Sequence, residues 1–351
     1  FFDGRLDGIG RVSHIVEKTL RTMGLEPQIL SANDSTENCP SDKGIVYGRN
    51  YSKMISSSLT HSFLRPKLIV CMHLGLAPVA RIVSQRYGVP YFVFLHGIEA
   101  WQPLNFRRRW GVIKASRLLS NSKFTLHHFQ EYNPSLCHIP ADVIPLGIGT
   151  EKFETVNAAQ KPQILIVGRM DQGEQYKGHQ LLIQSLGLIL EESPASQVII
   201  VGDGDDRKRL EQLANRYSYR KKVSFLGKVS DLVLSDLYKE SMIFAMPSKG
   251  EGFGLVYLEA MAHGLPCICS DVDAAREVVL NGNTGFAINP TSPFDFAERV
   301  LQLIRIPQLR TRMGNAGKAR YLNNYTEMHF QTRLMNNFEI NFFSRQNSPK
   351  K

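Results

Sequence analysis

The segment QILIVGRMDQGEQYKGHQLLIQSLGLILEESPASQVIIVG (163–202) decides the fold class. A continuous apolar run stands at each end, and the stretch over about 178–190 has the apolar spacing of a helix. Strands that are apolar at every position, rather than at alternate positions, are typical of parallel sheets covered on both faces. The segment therefore predicts a β-α-β unit of an α/β domain.

The same alternation of strand and helix continues on both sides of this unit. Towards the C-terminus we predict strands at 223–227, 242–247 and 266–270, and helices at about 206–217, 231–240 and 254–263. In the first half we predict a helix at about 10–23, a polar loop at 32–51, and strands at 27–30, 67–72, 90–95, 115–121 and 142–145. Repeated units of this kind predict doubly wound sheets.

The length of 351 residues exceeds what one core usually supports, so we predict two domains. We place the first at 1–150 and the second at 151–324, with a Gly-containing polar hinge at 147–161. Two Rossmann-like domains facing each other form a cleft, and ligands of such sheets bind outside the carboxyl ends of the strands. The residues at those ends are therefore the candidates for the site.

The net charge of +10 is uneven, because residues 1–150 hold 17 Lys and Arg against 10 Asp and Glu. The excess is compatible with a solvated helix face, an anionic membrane surface or a phosphorylated acceptor; no nucleic-acid motif accompanies it. Its centre is a group of five cations: Arg107, Arg108, Arg109, Lys114 and Arg117. No apolar run approaches the length of about 18 residues that spans a bilayer.

The five cysteines, which lack a C-x-x-C spacing, predict reduced and buried thiols in a cytosolic protein.

The strongest local signal is EGFGLVYLEAMAHGLP (251–266), which follows a predicted strand. Gly252 and Gly254 allow a ligand to approach the backbone closely. The amides at the start of the next helix form a natural diphosphate site, and they belong to Phe253, Gly254 and Leu255. The carboxylates of Glu251 and Glu259 can accept hydrogen bonds from sugar hydroxyls on either side of that site.

Three weaker signals stand at other predicted strand ends or helix starts. Arg169 and Lys177 can neutralise a diphosphate without a metal. His96, followed by Gly97, can bind a sugar hydroxyl or remain a structural histidine. Gly8 and Gly10 open the first predicted helix, where backbone can approach a phosphate.

In their order and spacing, these elements resemble glycosyltransferase family 4, whose fold is GT-B and whose members transfer sugars from nucleotide donors with retention. The resemblance spans nearly the whole chain, and the two glutamates eight residues apart around G-F-G are its most specific part. The VIPLGI stretch (143–148) matches the family hinge. The chain departs from the family in its D-G-I-G turn and in Gly149, where an aspartate is common.

The resemblance implies a role for each matched position. Arg169 and Lys177 hold the diphosphate, Glu259 holds the ribose, and His96 contacts the sugar. Glu251, Gly252 and the amides that follow hold the donor sugar and its phosphate. The base is contacted by Gly227, the last residue of the strand at 223–227, and by Lys228 and Val229, which follow it. A C-terminal helix at about 325–343 crosses back to the first domain.

The implied function is transfer of a hexose from a nucleotide-diphosphate sugar to a glycan or lipid-linked acceptor in polysaccharide biosynthesis. UDP-glucose is the first expectation and GDP-mannose the second, with neither a cofactor nor a metal. We expect a cytoplasmic protein, with peripheral binding at the inner face of the membrane as an option. Attack by the acceptor hydroxyl on the same face is favoured over Glu251 acting as a nucleophile.

Four other interpretations stay open. The DGDD stretch (203–206) suits a metal-dependent transferase, although a βα turn with an acidic cap explains it better. The same stretch lacks the third glycine of a dinucleotide-binding motif. A non-hydrolysing nucleotide-sugar epimerase shares the GT-B shape. A sugar-nucleotide-binding protein without turnover is the alternative that is not an enzyme.

Overall fold

The computed structural model describes residues 2–3, 5–6, 8–32, 45–47, 50–60, 66–149 and 162–340. The chain forms two compact units, Phe1–Leu146 with Glu327–Lys351, and Gly147–Thr326. The N-terminal segment of the first unit ends at Leu146, four residues before the domain boundary predicted at residue 150. Most of the predicted hinge at 147–161 and of the predicted loop at 32–51 lies outside the described residues.

The second unit is built on a parallel sheet of six strands in the order β11-β10-β9-β12-β13-β14. The strands are β9 (Gln163–Val167), β10 (Gln197–Val201), β11 (Val223–Gly227), β12 (Ile243–Ala245), β13 (Cys267–Ser270) and β14 (Gly285–Ile288). Relative to chain order this is 3-2-1-4-5-6, so the direction of winding reverses between β9 and β12. The central strands are buried at almost every position, as their continuous apolar runs predict.

Seven helices of the second unit connect or follow these strands in the described residues. They are α6 (His179–Glu192), α7 (Arg207–Asn215), α8 (Asp231–Glu240), α9 (Leu255–Ala262), α10 (Ala275–Val278), α11 (Pro293–Arg305) and α12 (Pro307–Asn324). The four predicted helices correspond to α6, α7, α8 and α9 within three residues at either end. The sequence did not predict β14, whose first residue Gly285 lies so close to β13 that an added Cβ would be 1.9 Å from the Cys267 carbonyl oxygen.

The first unit contains a parallel sheet in the order β5-β6-β7-β8 and two separate strand pairs. Its strands are β1 (Phe2–Asp3), β2 (Arg5–Leu6), β3 (Leu30–Ser31), β4 (Ile45–Val46), β5 (Ile69–Cys71), β6 (Tyr91–Leu95), β7 (Arg117–Ser120) and β8 (Ala141–Val143). Its helices are α1 (Gly8–Thr22), α2 (Tyr51–Thr60), α3 (Ala77–Tyr87), α4 (Phe106–Val112), α5 (Lys123–Tyr132) and α13 (Glu327–Phe338).

The strand predicted at 27–30 is wrong in most of its length, because pairing with β4 begins only at Leu30. The predicted C-terminal helix is α13, which belongs to the first unit. It contacts α1 through the Lys18–Glu327 ion pair at 2.6 Å, and Phe338 stacks on Phe92 with ring centroids 6.0 Å apart. Residues 341–343 of that prediction lie outside the described part of the chain.

Four cysteines are described, and all four are free thiols. Cys71, Cys267 and Cys269 are buried, and burial raises the pKa of Cys71 to about 12. Cys137 is exposed, so the prediction of burial is wrong for this residue, which follows a short 3₁₀ turn on the surface. No helix among the described residues is long and apolar enough to cross a bilayer.

Candidate active site

The reversal point between β9 and β12 brings together two loops that carry most of the predicted donor-binding residues. β9 leads through Arg169 and Lys177 into α6, and β12 leads through Glu251 into α9. Both helices begin after a glycine in the left-handed region, Gly178 at φ +90° and Gly254 at φ +89°. Neither cap residue has a side chain, so the two helix N-termini offer backbone amides and positive dipole ends to an anion.

Both cap glycines are required by space as well as by backbone conformation. A Cβ on Gly178 would lie 2.8 Å from the carbonyl oxygen of Pro247, which follows β12. A Cβ on Gly254 would lie 2.4 Å from the Tyr257 ring, whose hydroxyl donates to the Met246 carbonyl. The two loops therefore pack directly on the end of β12.

Lys177 links the two loops. Its Nζ donates to Glu251 Oε2 at 3.3 Å and lies 3.7 Å from Glu174 Oε2. Burial by itself lowers the pKa of Lys177, but the negative charges of Glu251 and Glu174 outweigh burial and raise the pKa above its ordinary value. The site thus holds a positive charge that is only 16% exposed and is aimed at the reversal point.

Arg169 lies beside this pair and is more open. Its guanidinium forms an ion pair with Glu174, and Nη1 is 3.7 Å from Asp171 Oδ2. The side chain is 57% exposed. Sequence reasoning missed Glu174, although its spacing of three residues before Lys177 was a visible signal.

Glu259 lies one turn inside α9 and is buried, with 9% of its surface exposed. Its Oε2 accepts a hydrogen bond of 2.9 Å from the hydroxyl of Tyr238, at the end of α8. The Tyr238 ring in turn stacks on His263, with centroids 5.0 Å apart. These contacts fix the carboxylate in one orientation, as binding of a diol requires.

Asp273 is a second carboxylate that sequence reasoning missed. It follows β13 and is fully buried, and its oxygens accept from the backbone N–H groups of Glu251 at 2.9 Å and Ala275 at 3.0 Å. Burial raises the pKa of Asp273 to about 7. The visible signal was an acidic residue just beyond an apolar strand. In the structure, Asp273 positions the backbone of the Glu251 loop.

The acidic turn at 203–206 positions the loop that carries the cations. Asp205 accepts from the backbone N–H of Gln172 at 2.6 Å, and Asp206 accepts from the Gln175 side chain at 3.0 Å. Asp206 also binds Arg209 through two hydrogen bonds of 2.6 and 2.7 Å. Across the described ranges, no group of three or more His, Cys, Asp or Glu side chains could hold a metal ion.

The predicted base-contacting residues lie at the end of β11, the edge strand next to β10. Gly227 has φ +68° and accepts from Gly202 N–H at 2.9 Å through its carbonyl. Lys228 is exposed and Val229 is partly buried. Their role in binding a base stays a prediction.

The remaining predicted residues lie in the first unit. His96 follows β6, and its Nε2 is 2.8 Å from the Met72 carbonyl oxygen. Its backbone N–H donates to Glu99 at 2.7 Å, and its carbonyl accepts from Asn121. Gly8 and Gly10 lie in the first turn of α1, and a Cβ on Gly8 would meet nothing within 4 Å. The contacts predicted for these three residues with a donor stay predictions.

His179, the first residue of α6, makes the fold sensitive to acid. It is 3% exposed, and burial, with repulsion from Lys177, lowers its pKa to about 4. In the unfolded chain the imidazole takes up a proton near pH 6.5, whereas in the folded chain it does so only near pH 4. The free energy of unfolding is therefore unaffected by this group above pH 6.5 and decreases as the pH falls from 6.5 to about 4. We expect a loss of up to about 3 kcal/mol over this window. Chemical denaturation between pH 4 and 7 tests this expectation, with His179→Gln as the control that lacks the titration. Equal pH dependence in both proteins would contradict it.

The sequence of the second unit also matches a known family. The family model described as "Glycosyl transferases group 1" matches residues 148–320. This range contains the two loops at the reversal point and both Glu251 and Glu259. Residues 148–320 of the second unit thus match the group 1 glycosyltransferases. This match confirms the resemblance to glycosyltransferase family 4 that the motifs suggested.

Relatives with assigned names are also glycosyltransferases. The chain is 33% identical over 177 residues to "Uncharacterized glycosyltransferase MJ1607" of Methanocaldococcus jannaschii. The aligned region covers 50% of this chain and 44% of that protein. It is 27% identical over 319 residues to "Alpha-1,3/1,6-mannosyltransferase ALG2" of Homo sapiens, and this alignment covers 81% of this chain and 76% of the human protein. The match with the archaeal relative therefore spans less than half of that relative's own length.

Solved structures agree on the fold. The chain superposes on Anabaena Alr3699/HepE, whose structure is described as a complex with UDP and glucose, with a TM-score of 0.79. The two are 19% identical, and the superposition covers 97% of this chain and 98% of that one. The α/β class and the GT-B fold predicted from the sequence are thereby confirmed.

Proposed function

We propose that the chain is a retaining glycosyltransferase that moves a hexose from a nucleotide-diphosphate sugar to a glycan or lipid-linked acceptor. The observation that carries the proposal is the Lys177–Glu251 pair at the reversal point, between two helix N-termini with glycine caps. This arrangement offers positive charge and backbone amides to a diphosphate, and carboxylates to the hydroxyls beside it.

In the proposed reaction, the bond between the anomeric carbon and the diphosphate oxygen breaks. Negative charge develops on the leaving diphosphate, where Lys177, Arg169 and the amides at the start of α9 stabilise it. The acceptor hydroxyl attacks from the same face, and its proton passes to the departing phosphate. Glu251 binds donor hydroxyls in this scheme, because its carboxylate is already paired with Lys177.

We propose UDP-glucose as the donor, with GDP-mannose as the second candidate. The Anabaena complex with UDP and glucose supports the first, and the named mannosyltransferase among the relatives supports the second. We also propose that no metal takes part. The carboxylates in the acidic turn at 203–206 support a reaction without metal. Asp205 accepts a hydrogen bond from Gln172, and Asp206 accepts hydrogen bonds from Gln175 and Arg209.

Calorimetry with UDP, GDP, ADP and their common sugars, in the presence of EDTA, tests the proposal. We expect saturable binding of one nucleotide without metal, and transfer of its labelled sugar to a glycan acceptor. Binding that requires magnesium or manganese would contradict the metal-free scheme. Binding without turnover towards any acceptor would favour a sugar-nucleotide-binding protein, and interconversion of the free sugar nucleotide would favour an epimerase.

The acceptor side of the proposal depends on the first unit. Exposed Arg107 and Arg109 lie on α4 beside Phe106, which is 82% exposed. Clustered cations beside an apolar side chain favour an anionic lipid surface, so we propose peripheral membrane binding in polysaccharide biosynthesis. Failure to bind anionic vesicles at low salt would remove this part of the proposal.

A further inference from the structure

The cations of the proposed diphosphate site contact an acidic residue of their own loop. The segment Gln172–Lys177 is a 3₁₀ helix interrupted at Glu174, whose φ of −122° is not helical. The interruption directs the Glu174 carboxylate towards both cations. One oxygen pairs with the Arg169 guanidinium, and the other, Oε2, lies 3.7 Å from Lys177 Nζ.

The surroundings of this carboxylate are unusual for a surface glutamate. The side chain is 16% exposed, and Oε2 is buried without a hydrogen-bond partner among the described residues. A buried carboxylate oxygen that only approaches a cation contributes less than one in a short, charge-assisted hydrogen bond. Glu174 therefore lies between the cations without satisfying both of its oxygens.

The residues that flank Glu174 are held in place by hydrogen bonds to the acidic turn at 203–206. The backbone N–H of Gln172 donates to Asp205 at 2.6 Å, and the Gln175 side chain donates to Asp206 at 3.0 Å. Asp206 is itself fixed by Arg209. The acidic turn thus anchors the residues on both sides of Glu174, so that the position of its carboxylate follows from the local structure.

We infer that Glu174 is an internal counter-anion that competes with the diphosphate of the donor for Arg169 and Lys177. This inference rests on the proposed function. A diphosphate carries more negative charge than one carboxylate and can bind both cations through several oxygens. Donor binding then releases Glu174, and the segment re-forms its contacts around the bound phosphates. Glu174 thereby lowers the affinity of the site for diphosphates.

The inference predicts that removing a residue of the site improves binding. In Glu174→Gln the side chain keeps its size and loses its charge, so Arg169 and Lys177 lose a competing anion. We expect the affinity for inorganic pyrophosphate and for UDP to rise about 3- to 5-fold, the upper end of what ion pairs near the surface contribute. The affinity for UMP should rise less, because it presents one phosphate group.

Calorimetry on the full chain with inorganic pyrophosphate, UDP, GDP, ADP and UMP provides the test. Asp171→Asn is the matched control, since it removes an equal charge 3.7 Å from Arg169 at a position that is 38% exposed. We expect it to change the affinity less than 2-fold, as is usual for exposed pairs. Glu174→Ala is the second variant that removes the charge, and thermal unfolding verifies that each protein is folded.

The possible results separate this inference from the proposed function. If the unmodified protein binds pyrophosphate or UDP and both Glu174 variants bind more tightly, the inference is supported. Equal or weaker binding by the folded variants would overturn it and leave the proposed function standing. If the unmodified protein binds none of UDP, GDP, ADP and pyrophosphate, the proposed function fails and the inference fails with it.

Discussion

Lys177→Ala should lower kcat for sugar transfer by about 10²- to 10³-fold, the usual cost of removing one donor that stabilises a developing anion. The ammonium is mostly buried and belongs to the ion-paired group that joins the loops after β9 and β12. Without it, the leaving diphosphate loses the charge best placed to stabilise it. Steady-state kinetics with a labelled donor measure the effect.

The control for this variant is Lys208→Ala, which removes the same charge from an exposed position on α7. It should leave kcat within about 2-fold of the unmodified protein, because distant exposed charges are screened. Lys177→Arg keeps the charge and should recover part of the activity. Transfer by Lys177→Ala at an unchanged rate would show that this ammonium does not stabilise the leaving group.

Glu259→Gln should raise the KM for the donor about 10- to 150-fold, with a smaller change in kcat. Hydrogen bonds to a charged group contribute about 1.5–3 kcal/mol, and a ribose bound away from the breaking bond contributes them in the ground and transition states alike. The variant keeps the shape of the side chain and an oxygen that can accept from Tyr238. Initial rates over a range of donor concentrations measure both constants.

Two comparisons make this prediction specific. Tyr238→Phe removes the neighbouring hydroxyl at 2.9 Å and keeps the carboxylate, so its effect on KM should be smaller. A donor with a 2′-deoxyribose should bind the unmodified protein more weakly and should bind Glu259→Gln almost as well as the ordinary donor does. If the variant discriminates between the two donors as strongly as the unmodified protein does, Glu259 does not bind the ribose.

Much of the second unit was predictable from local sequence. The apolar runs located β9, β10, β11, β12 and β13, and the helical spacing located the four helices between them. Gly254 was also informative, because the left-handed backbone there is a local requirement that glycine meets. The spacing of Glu251 and Glu259 predicts a site for sugar hydroxyls, since it places two carboxylates around one helix start.

The first unit was less predictable, because its elements are short and depend on distant partners. β3 is two residues long and exists only where β4 pairs with it. β14 in the second unit was missed for a related reason, since its four residues are held by close packing on β13. Short segments of this kind carry too few apolar positions to show a period.

The sequence by itself determined the fold class and the resemblance to glycosyltransferases, and it predicted which residues bind a nucleotide-diphosphate sugar. Only the tertiary structure decided which of those residues meet. It placed β12 beside β9 and so paired Lys177 with Glu251, 74 residues later in the chain. It also brought Glu174 to both cations, Tyr238 to Glu259, and Asp273 under the Glu251 loop. The physical reason is that periodicity and backbone strain act over a few residues. Strand order and ion pairing instead depend on the packing of the whole unit.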